Sequence, residues 1–513
     1  MRFQVPGQRL NLTDHFLDAR LREGRGNKRA LVVDRPQGVS SHTYAEVAGW
    51  ANRYGAMLQA KGLGMEDRVL ILLPDGLEWV ASFFGALKVG CTVLFVNPAC
   101  SREELIFYLA DSRARGLFCD QSGAAKLQDD HGLDFLGVVD APEFLTRCEG
   151  PPPNLEAAPT LEEDFAIWLY SSGSTGAPKA AVHRAGDFVF NTERYPKEVL
   201  GMHEDDVTVS VPKLFFGYAT GSNLLFPFAF GATAVLFPDR PTPERVFEVV
   251  ETHGATILVN VPTLVAQMQQ SWEKRIKKPD LSRLRLLTSA GEALPAELYE
   301  RWMRGPGIDI LDGIGSAEMF HVFISTRPGE KVPGSLGTLV EGYQARIVDG
   351  EEQDCEPGQV GTLWVGGDSA LAFYWQRAAK TREVVRGRWV VTGDQFIQDE
   401  RGHFFYQGRA DDMMKVGGRW VSPQEIEGAL LKHRAVAEAG VAPFERDGLV
   451  KPMAFVILKA GAEVDGPTLS SHVAEVLAPY KAPRQVIFVD TLPRGDRDKL
   501  DRKQLAAMAE AQG

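Results

Sequence analysis

The residues with the clearest chemical potential form one short run, Tyr170-Ser-Ser-Gly-Ser-Thr-Gly-Ala-Pro-Lys179. Glycines such as Gly173 and Gly176 let a backbone approach a phosphate closely, and consecutive N–H groups make an anion-binding nest. Ser171, Ser172, Ser174 and Thr175 add hydroxyl donors, and Lys179 adds a point charge. The run is not the GxxxxGK[ST] phosphate loop. No glycine precedes the lysine, and Ala180 stands where that loop needs a hydroxyl for Mg2+. A P-loop NTPase is therefore disfavoured. The plain alternative is a flexible Gly/Ser linker, but a linker need not follow an apolar strand or end in Pro-Lys. Other charged runs read more simply. Lys274-Arg-Ile-Lys-Lys278 could hold an anion, but it fits a solvated helix end, and the histidines form no metal cluster. Tyr374-Trp375 reads as core of a lobe.

The run follows the apolar segment Ala166–Tyr170, so a buried strand must carry it. Similar β-rich runs recur at Val69–Leu73, Thr92–Val96, Val207–Val211, Thr233–Phe237, Thr256–Val259 and Leu284–Thr288. Helix-like stretches lie between them, among them Thr43–Lys61, Glu103–Ala114 and Pro243–Thr252. Strands alternating with helices predict an α/β chain with largely parallel sheets. From about Gly361 the pattern shifts to shorter strands, TLWVGG, RWVVTGD and HFFYQG, which predict a β-rich lobe. A small α+β segment follows Arg409, with helices at Pro423–Lys432 and Thr468–Leu477 and strands at Met453–Leu458 and Gln485–Val489.

Composition narrows the class. The 513 residues are 44% hydrophobic and 24% charged, which excludes a disordered, collagen-like or coiled-coil chain. A net charge of −12 gives no global attraction to nucleic acid or an anionic membrane, so neither is an expected partner. Five cysteines without CxxC spacing predict neither a disulfide scaffold nor a structural zinc, and point to a reducing cytoplasm. The N-terminus has no apolar signal region. Leu224–Phe237, the most apolar stretch, is 14 residues long and falls short of the about 20 needed for a spanning helix, so it predicts buried core.

With further motifs in order, the sequence resembles the adenylate-forming enzymes: acyl- and aryl-CoA ligases, peptide-synthetase adenylation domains and luciferases. After YSSGSTGAPK come SAGEALP (Ser289–Pro295), DGIGSAEM (Asp312–Met319), TGD (Thr392–Asp394), GRADDMMKVGGRWVSPQEIE (Gly408–Glu427) and LPRGDRDKLDR (Leu492–Arg502). PKLFFGYATG (Pro212–Gly221) with DGIGSAEMFH resembles the benzoate-CoA and 2-aminobenzoate (anthranilate)-CoA ligase branch. The resemblance implies a large N-terminal domain, residues 1–410, of two α/β subdomains plus a β-rich lobe. It implies a small mobile α+β C-terminal domain over 411–513.

The implied reaction has two steps on ATP, Mg2+ and coenzyme A. A small aromatic carboxylate attacks the α-phosphate, releasing pyrophosphate. The CoA thiol then attacks the acyl carbon and AMP leaves. By motif match, Lys499 bridges the carboxylate and the α-phosphate, although Asp498 stands where the family usually has glycine. Read from composition alone, Lys499 is one more solvated lysine in a charged tail. Glu318 matches the Mg2+ glutamate, preceded by Ala317 where threonine is common; Ser316 or Thr175 could supply the missing hydroxyl. Asp394 and Arg409 match the ribose pair, and Gly291, Glu292, Asp312 and Gly313 the adenine side; TGD and GR also read as ordinary turns. Asp411 matches the hinge, and Val416-Gly417-Gly418 the strand lining the pantetheine tunnel.

The implied acyl pocket is Phe216, Gly217, Tyr218, Ala290, Gly315, His321 and Val322. Flat aromatic walls and small residues make a slot for a planar ring. FFGYATG has no acid to pair an α-ammonium, so an amino acid is disfavoured. Related ligases often have alanine at Gly217, so the glycine is expected to admit a small substituent, as in 2-aminobenzoate. His321 could bond such a substituent, orient the carboxylate or pack. The alternatives are an enzyme that loads an aryl acid onto an acyl carrier protein, and a medium-chain acyl-CoA ligase. A non-catalytic nucleotide sensor of the same fold would need Lys499 and Glu318 to be inert. No carrier domain is expected after the lysine motif, and the chain is expected to be a monomer or homodimer.

Overall fold

The computed structural model describes residues 7–127, 138–148, 150–171, 178–292, 294–330, 332–416, 419–446, 449–494 and 500–512. The chain is mixed α/β and divides into two compact units. The first comprises Met1–Ala345 with Val365–Val390, and the second Arg346–Trp364 with Val391–Gly513.

The first unit contains two large sheets. One has nine strands, in the order 338–339, 322–325, 309–315, 286–290, 257–260, 207–210, 233–236, 29–35 and 38–43. Its six central strands run parallel, and the outer ones pair antiparallel. The chain passes from 207–210 to 233–236 on one side, then returns to 257–260 on the other. That reversal leaves a crevice beyond the carboxyl ends, where ligands bind in open α/β sheets. The aromatic run PKLFFGYATG leaves strand Val207–Ser210 at that reversal. The second sheet has seven strands, with the order 373–374, 179–184, 165–171, 92–95, 68–72, 116–119 and 138–140.

Strand and helix boundaries follow local chemistry. Strands Thr92–Phe95, Val207–Ser210 and Ile257–Asn260 are buried along their whole length, as parallel strands covered on both faces must be. Helix Tyr44–Ala60 starts at a capping box, in which Thr43 and Glu46 exchange side-chain and backbone bonds. Ser101 and Glu104 start helix Arg102–Ser112 in the same way. Residues 224–237 supply buried core and strand, as their length and composition predict. No helix among the described residues is long and apolar enough to cross a membrane.

In the second unit, strands Val436–Arg446, Leu449–Leu458 and Gln485–Phe488 form a three-stranded sheet. Helix Pro423–Leu431 packs on strand Val436–Arg446, and helix Gly466–Val476 on strand Gln485–Phe488. Arg502 makes a bidentate ion pair with Glu427, at 2.8 and 2.9 Å. Glu427 also accepts the Val441 N–H at 2.7 Å. Breaking a buried pair from one side leaves an uncompensated charge. Arg502→Met is expected to destabilise this unit by about 3 kcal/mol. Denaturant unfolding followed by a probe in the unit checks this.

Candidate active site

Strands Phe165–Ser171 and Lys179–Arg184 pair antiparallel, with Ser171 opposite Lys179. The hairpin thus places the two ends of the phosphate-loop sequence side by side. Ser172, Gly173, Ser174, Thr175 and Gly176, which the sequence assigns to phosphate binding, lie outside the described residues. Lys179 reaches Glu318, with Nζ 3.3 Å from Oε1. Tyr374 joins them: its hydroxyl donates to the same Glu318 oxygen at 2.5 Å and accepts from Lys179 at 2.7 Å. Burial alone would push the Glu318 carboxyl up. The Lys179 charge and the Tyr374 hydroxyl outweigh it and hold Glu318 below the usual carboxylate range. The glutamate is therefore ionised, the state in which a carboxylate could bind a hard cation.

His183 was not among the expected site residues, yet it supports this group from below. It is fully buried, with Nδ1 3.0 Å from Asp187 Oδ2 and Nε2 2.7 Å from the Ala317 carbonyl. Leu371 N–H donates to the Glu318 carbonyl at 2.7 Å. The turn bearing Glu318 is thus fixed from two sides. The available signal was the strand period of two, which puts Lys179 and His183 on one face. Tyr374 had no comparable signal. Its neighbour Trp375 is partly buried against the core, as expected, with its ring tilted 37° to that of Trp168 and 4.6 Å from it.

Phe320 follows the Glu318 turn with φ 63° and ψ −53°. His321 N–H donates to the Met319 carbonyl at 2.8 Å, so Phe320 is the centre of a strained γ-turn. The turn leads straight into His321 and Val322. Gly315 packs against that backbone: a Cβ there would lie 2.5 Å from the His321 carbonyl oxygen. Gly221 gives way to the His321 ring, since its Cβ would lie 2.4 Å from Cδ2. The His321 ring lies 5.3 Å from Tyr218 and 4.6 Å from Phe226. Its Nε2 donates to the Tyr218 carbonyl at 3.0 Å, and burial pushes its pKa down to about 3. His321 is neutral, and its Nδ1 has no partner among the described residues.

Phe216, Gly217 and Tyr218 are partly exposed, while Ala290, His321 and Val322 are buried. Tyr218 hydroxyl meets the Thr288 hydroxyl at 2.7 Å. A Cβ on Gly217 would lie 3.1 Å from Leu169 Cδ1 and 3.7 Å from the Phe320 carbonyl. The expected aryl-slot residues therefore gather around one segment, but part of the room at Gly217 is bordered by Leu169.

The adenine-side residues lie at adjacent carboxyl ends. Ser289 pairs with Asp312 and Ala290 with Gly313 in register. Glu292 accepts from the Thr263 hydroxyl at 2.6 Å, and Gly291 has φ 89°. Buried oxygens of Ser171, Ser289, Asp312 and Ser316 have no hydrogen-bond partner among the described residues. Buried polar atoms are ordinarily satisfied. Ser171, Ser289 and Ser316 sit near or just past strand carboxyl ends, and Asp312 is the register partner of Ser289; a polar ligand there would complete them. Burial pushes Asp312 up to about 7, outweighing the nearby Leu294 and Gly313 N–H groups.

In the second unit, Asp394 and Arg409 are register partners, with Oδ1 and Nη1 3.2 Å apart. Asp411 lies in the turn Ala410–Asp412. Val416 ends strand Met414–Val416 and is buried in that unit's core. Gly417, Gly418, Asp498 and Lys499 lie outside the described residues. The lysine segment is flanked by an antiparallel bridge from Arg494 to Leu500 and by the bond from Asp501 N–H to the Pro493 carbonyl, 2.9 Å.

Residues 18–375 match the family described as AMP-binding enzyme, and residues 425–499 its C-terminal domain. The chain belongs to this adenylate-forming family. It is an AMP-forming acid–thiol ligase. It is 40% identical to the benzoate–CoA ligase of Thauera aromatica, over 97% of this chain and 96% of that one. Identity to the anthranilate–CoA ligase of Pseudomonas aeruginosa is 33%, over 86% of this chain and 87% of the relative. Among solved structures, an anthranilate CoA ligase in complex with anthranoyl-AMP superposes with a TM-score of 0.90 at 36% identity, covering 99% and 98% of the two chains. A benzoate CoA ligase from Burkholderia xenovorans LB400 gives 0.84 at 34% identity, covering 97% and 99%.

Two outcomes follow from this geometry. Gly315→Ala forces the His321–Val322 backbone away and is expected to lower adenylation about 100-fold, since a displacement near 1 Å carries such a cost. Pyrophosphate exchange measures it. The second concerns pH. The folded Asp312 carboxyl is raised, from an ordinary 3.8 to about 7. Its contribution is thus fully favourable below about pH 4 and is lost as pH rises through about 7. Asp312→Asn is expected to flatten this decline in the melting temperature, gaining stability at pH 8 relative to wild type.

Proposed function

We propose that the protein is an aryl-carboxylate–CoA ligase acting on benzoate or a substituted benzoate, with 2-aminobenzoate among the substituted forms. The carrying observation is the partly buried Lys179–Glu318–Tyr374 group beside an aromatic loop at a strand reversal. The names of the relatives, benzoate–CoA and anthranilate–CoA ligases, support the same substrate class. The neutral ring of His321 and the small residues Gly217 and Gly315 suit a flat, uncharged ring.

In this reading Mg·ATP is the nucleotide substrate. Glu318 is one carboxylate, and no cluster of three potential ligands occurs among the described residues. That donor set fits a cation carried mainly by phosphates, not a resident metal cage. The cation supplies charge neutralisation on the triphosphate. Lys179 and the loop Ser171–Gly176 cradle phosphate oxygens. Asp394 and Arg409 hold the ribose, and Gly291, Glu292, Asp312, Gly313 and Ser316 face the base and its neighbouring phosphate.

Lys499 aligns the attacking carboxylate with the α-phosphate. A carboxylate oxygen bonds to that phosphorus as the bond to pyrophosphate breaks. The CoA thiol, losing its proton, then bonds to the acyl carbon as the bond to AMP breaks. Between the steps, the domain 411–513 turns about Asp411, and Val416-Gly417-Gly418 replaces Lys499 and lines the thiol arm's path. Positioning and charge neutralisation carry the rate. No protein nucleophile is required.

CoA-dependent AMP release is tested with benzoate, 2-aminobenzoate, 2-hydroxybenzoate, 4-hydroxybenzoate and a medium-chain fatty acid. Preference for benzoate or its 2-amino form is expected; turnover of the fatty acid alone overturns the aryl reading. Lys499→Ala is expected to lose adenylation by about 100-fold or more while sparing thioester formation from supplied adenylate. Equal loss of both half-reactions contradicts the domain rotation.

A further inference from the structure

Tyr374 lies on strand Phe373–Tyr374, which pairs antiparallel with strand Lys179–Arg184; Tyr374 is opposite Ala181. Its ring is buried, and its hydroxyl is the junction of the lysine and the glutamate. We propose that Tyr374 is a positioning residue for Glu318, orienting its carboxylate toward the cation of Mg·ATP while Lys179 leaves it for phosphate. This rests on the nucleotide reading above.

The argument is one of competing partners. Lys179 lies 3.3 Å from Glu318, so in this state the two charges neutralise each other. A triphosphate claims the lysine, and the cation claims the glutamate. Once Lys179 turns away, Glu318 would lose its cationic partner within a partly buried setting, where an unsupported charge is costly. The phenol remains. It donates at 2.5 Å, and it does so to Oε1, the same oxygen that Lys179 contacts. With Oε1 held, the carboxylate presents Oε2 to a cation. The backbone of the same turn is fixed independently, by His183 on the Ala317 carbonyl and by Leu371 on the Glu318 carbonyl. Only the carboxylate's rotation is left to be set, and Tyr374 sets it.

The test variant is Tyr374→Phe, which keeps the buried ring and removes the hydroxyl. ATP binding is measured by calorimetry with excess Mg2+ and with the metal chelated. Mg·ATP affinity is expected to fall about 10-fold, the equivalent of one hydrogen bond to a charged group. Affinity for metal-free ATP should stay within about 2-fold of wild type. In a Glu318→Gln background the hydroxyl should have no metal-dependent effect, because it acts through that carboxylate. Thioester formation from supplied adenylate, which needs no metal, should be spared. Equal weakening with and without Mg2+, or an unchanged Mg2+ dependence in a variant that melts like wild type, overturns the inference. A wild-type protein that binds ATP equally well with and without Mg2+ instead sinks the assignment of Glu318 itself. Should Tyr374→Phe not fold, the Mg2+ dependence of Tyr374→His replaces it: a shift confined to Mg·ATP supports the inference, and no shift overturns it.

Discussion

A partly buried lysine and glutamate, paired side by side, constrain everything around them. Both side chains are partly withdrawn from water, and the pairing of Lys179 with Glu318 offsets the cost of desolvating each charge. The hairpin 165–171/179–184 delivers the lysine, and the turn after strand Asp309–Gly315 delivers the glutamate. These belong to different sheets of the first unit. The pair therefore fastens the carboxyl ends of two sheets together. Such a pair is also a latent anion and cation site. In the proposed reading phosphate competes for its lysine and a divalent cation for its glutamate, so Mg·ATP must take this pair apart.

The aryl slot is built on the same few residues. Glu318 and His321 are separated by a single strained turn at Phe320. Gly315 and Gly221 exist as glycines because the backbone and ring of His321 occupy the space a methyl would need. Fixing the glutamate thus fixes the histidine, and with it Tyr218 and Val322. In the proposed reading, the organic acid and the nucleotide are held by two ends of one segment. That proximity is what an in-line attack of carboxylate on phosphorus demands.

Much of this was legible in the sequence, for definable reasons. β-rich runs such as Val207–Val211 and Leu284–Thr288, alternating with helix-like stretches, marked parallel strands. Motif matches named Lys179, Glu318, Asp394 and Arg409, and the structure pairs Lys179 with Glu318 and Arg409 with Asp394. Strand Val436–Arg446 went unread because Gly440 and Pro443 break its pattern; it lies at the edge of its sheet, where proline is tolerated. Tyr374 went unread because nothing local distinguishes it from core. Its hydroxyl meets Glu318 and Lys179 across sequence separations of 56 and 195 residues. Long-range side-chain junctions of this kind carry no periodicity. The same holds for Leu169, which borders the room at Gly217 and which no motif singled out.

The central claim is that the carboxyl ends of these two sheets form a site where an aromatic acid attacks the α-phosphate of ATP. The most direct measurement is exchange of labelled pyrophosphate into ATP, with benzoate present and CoA absent. The account predicts exchange that requires the acid and Mg2+ and proceeds without CoA. Exchange that is absent with every aromatic acid, or that occurs without any acid, would contradict it.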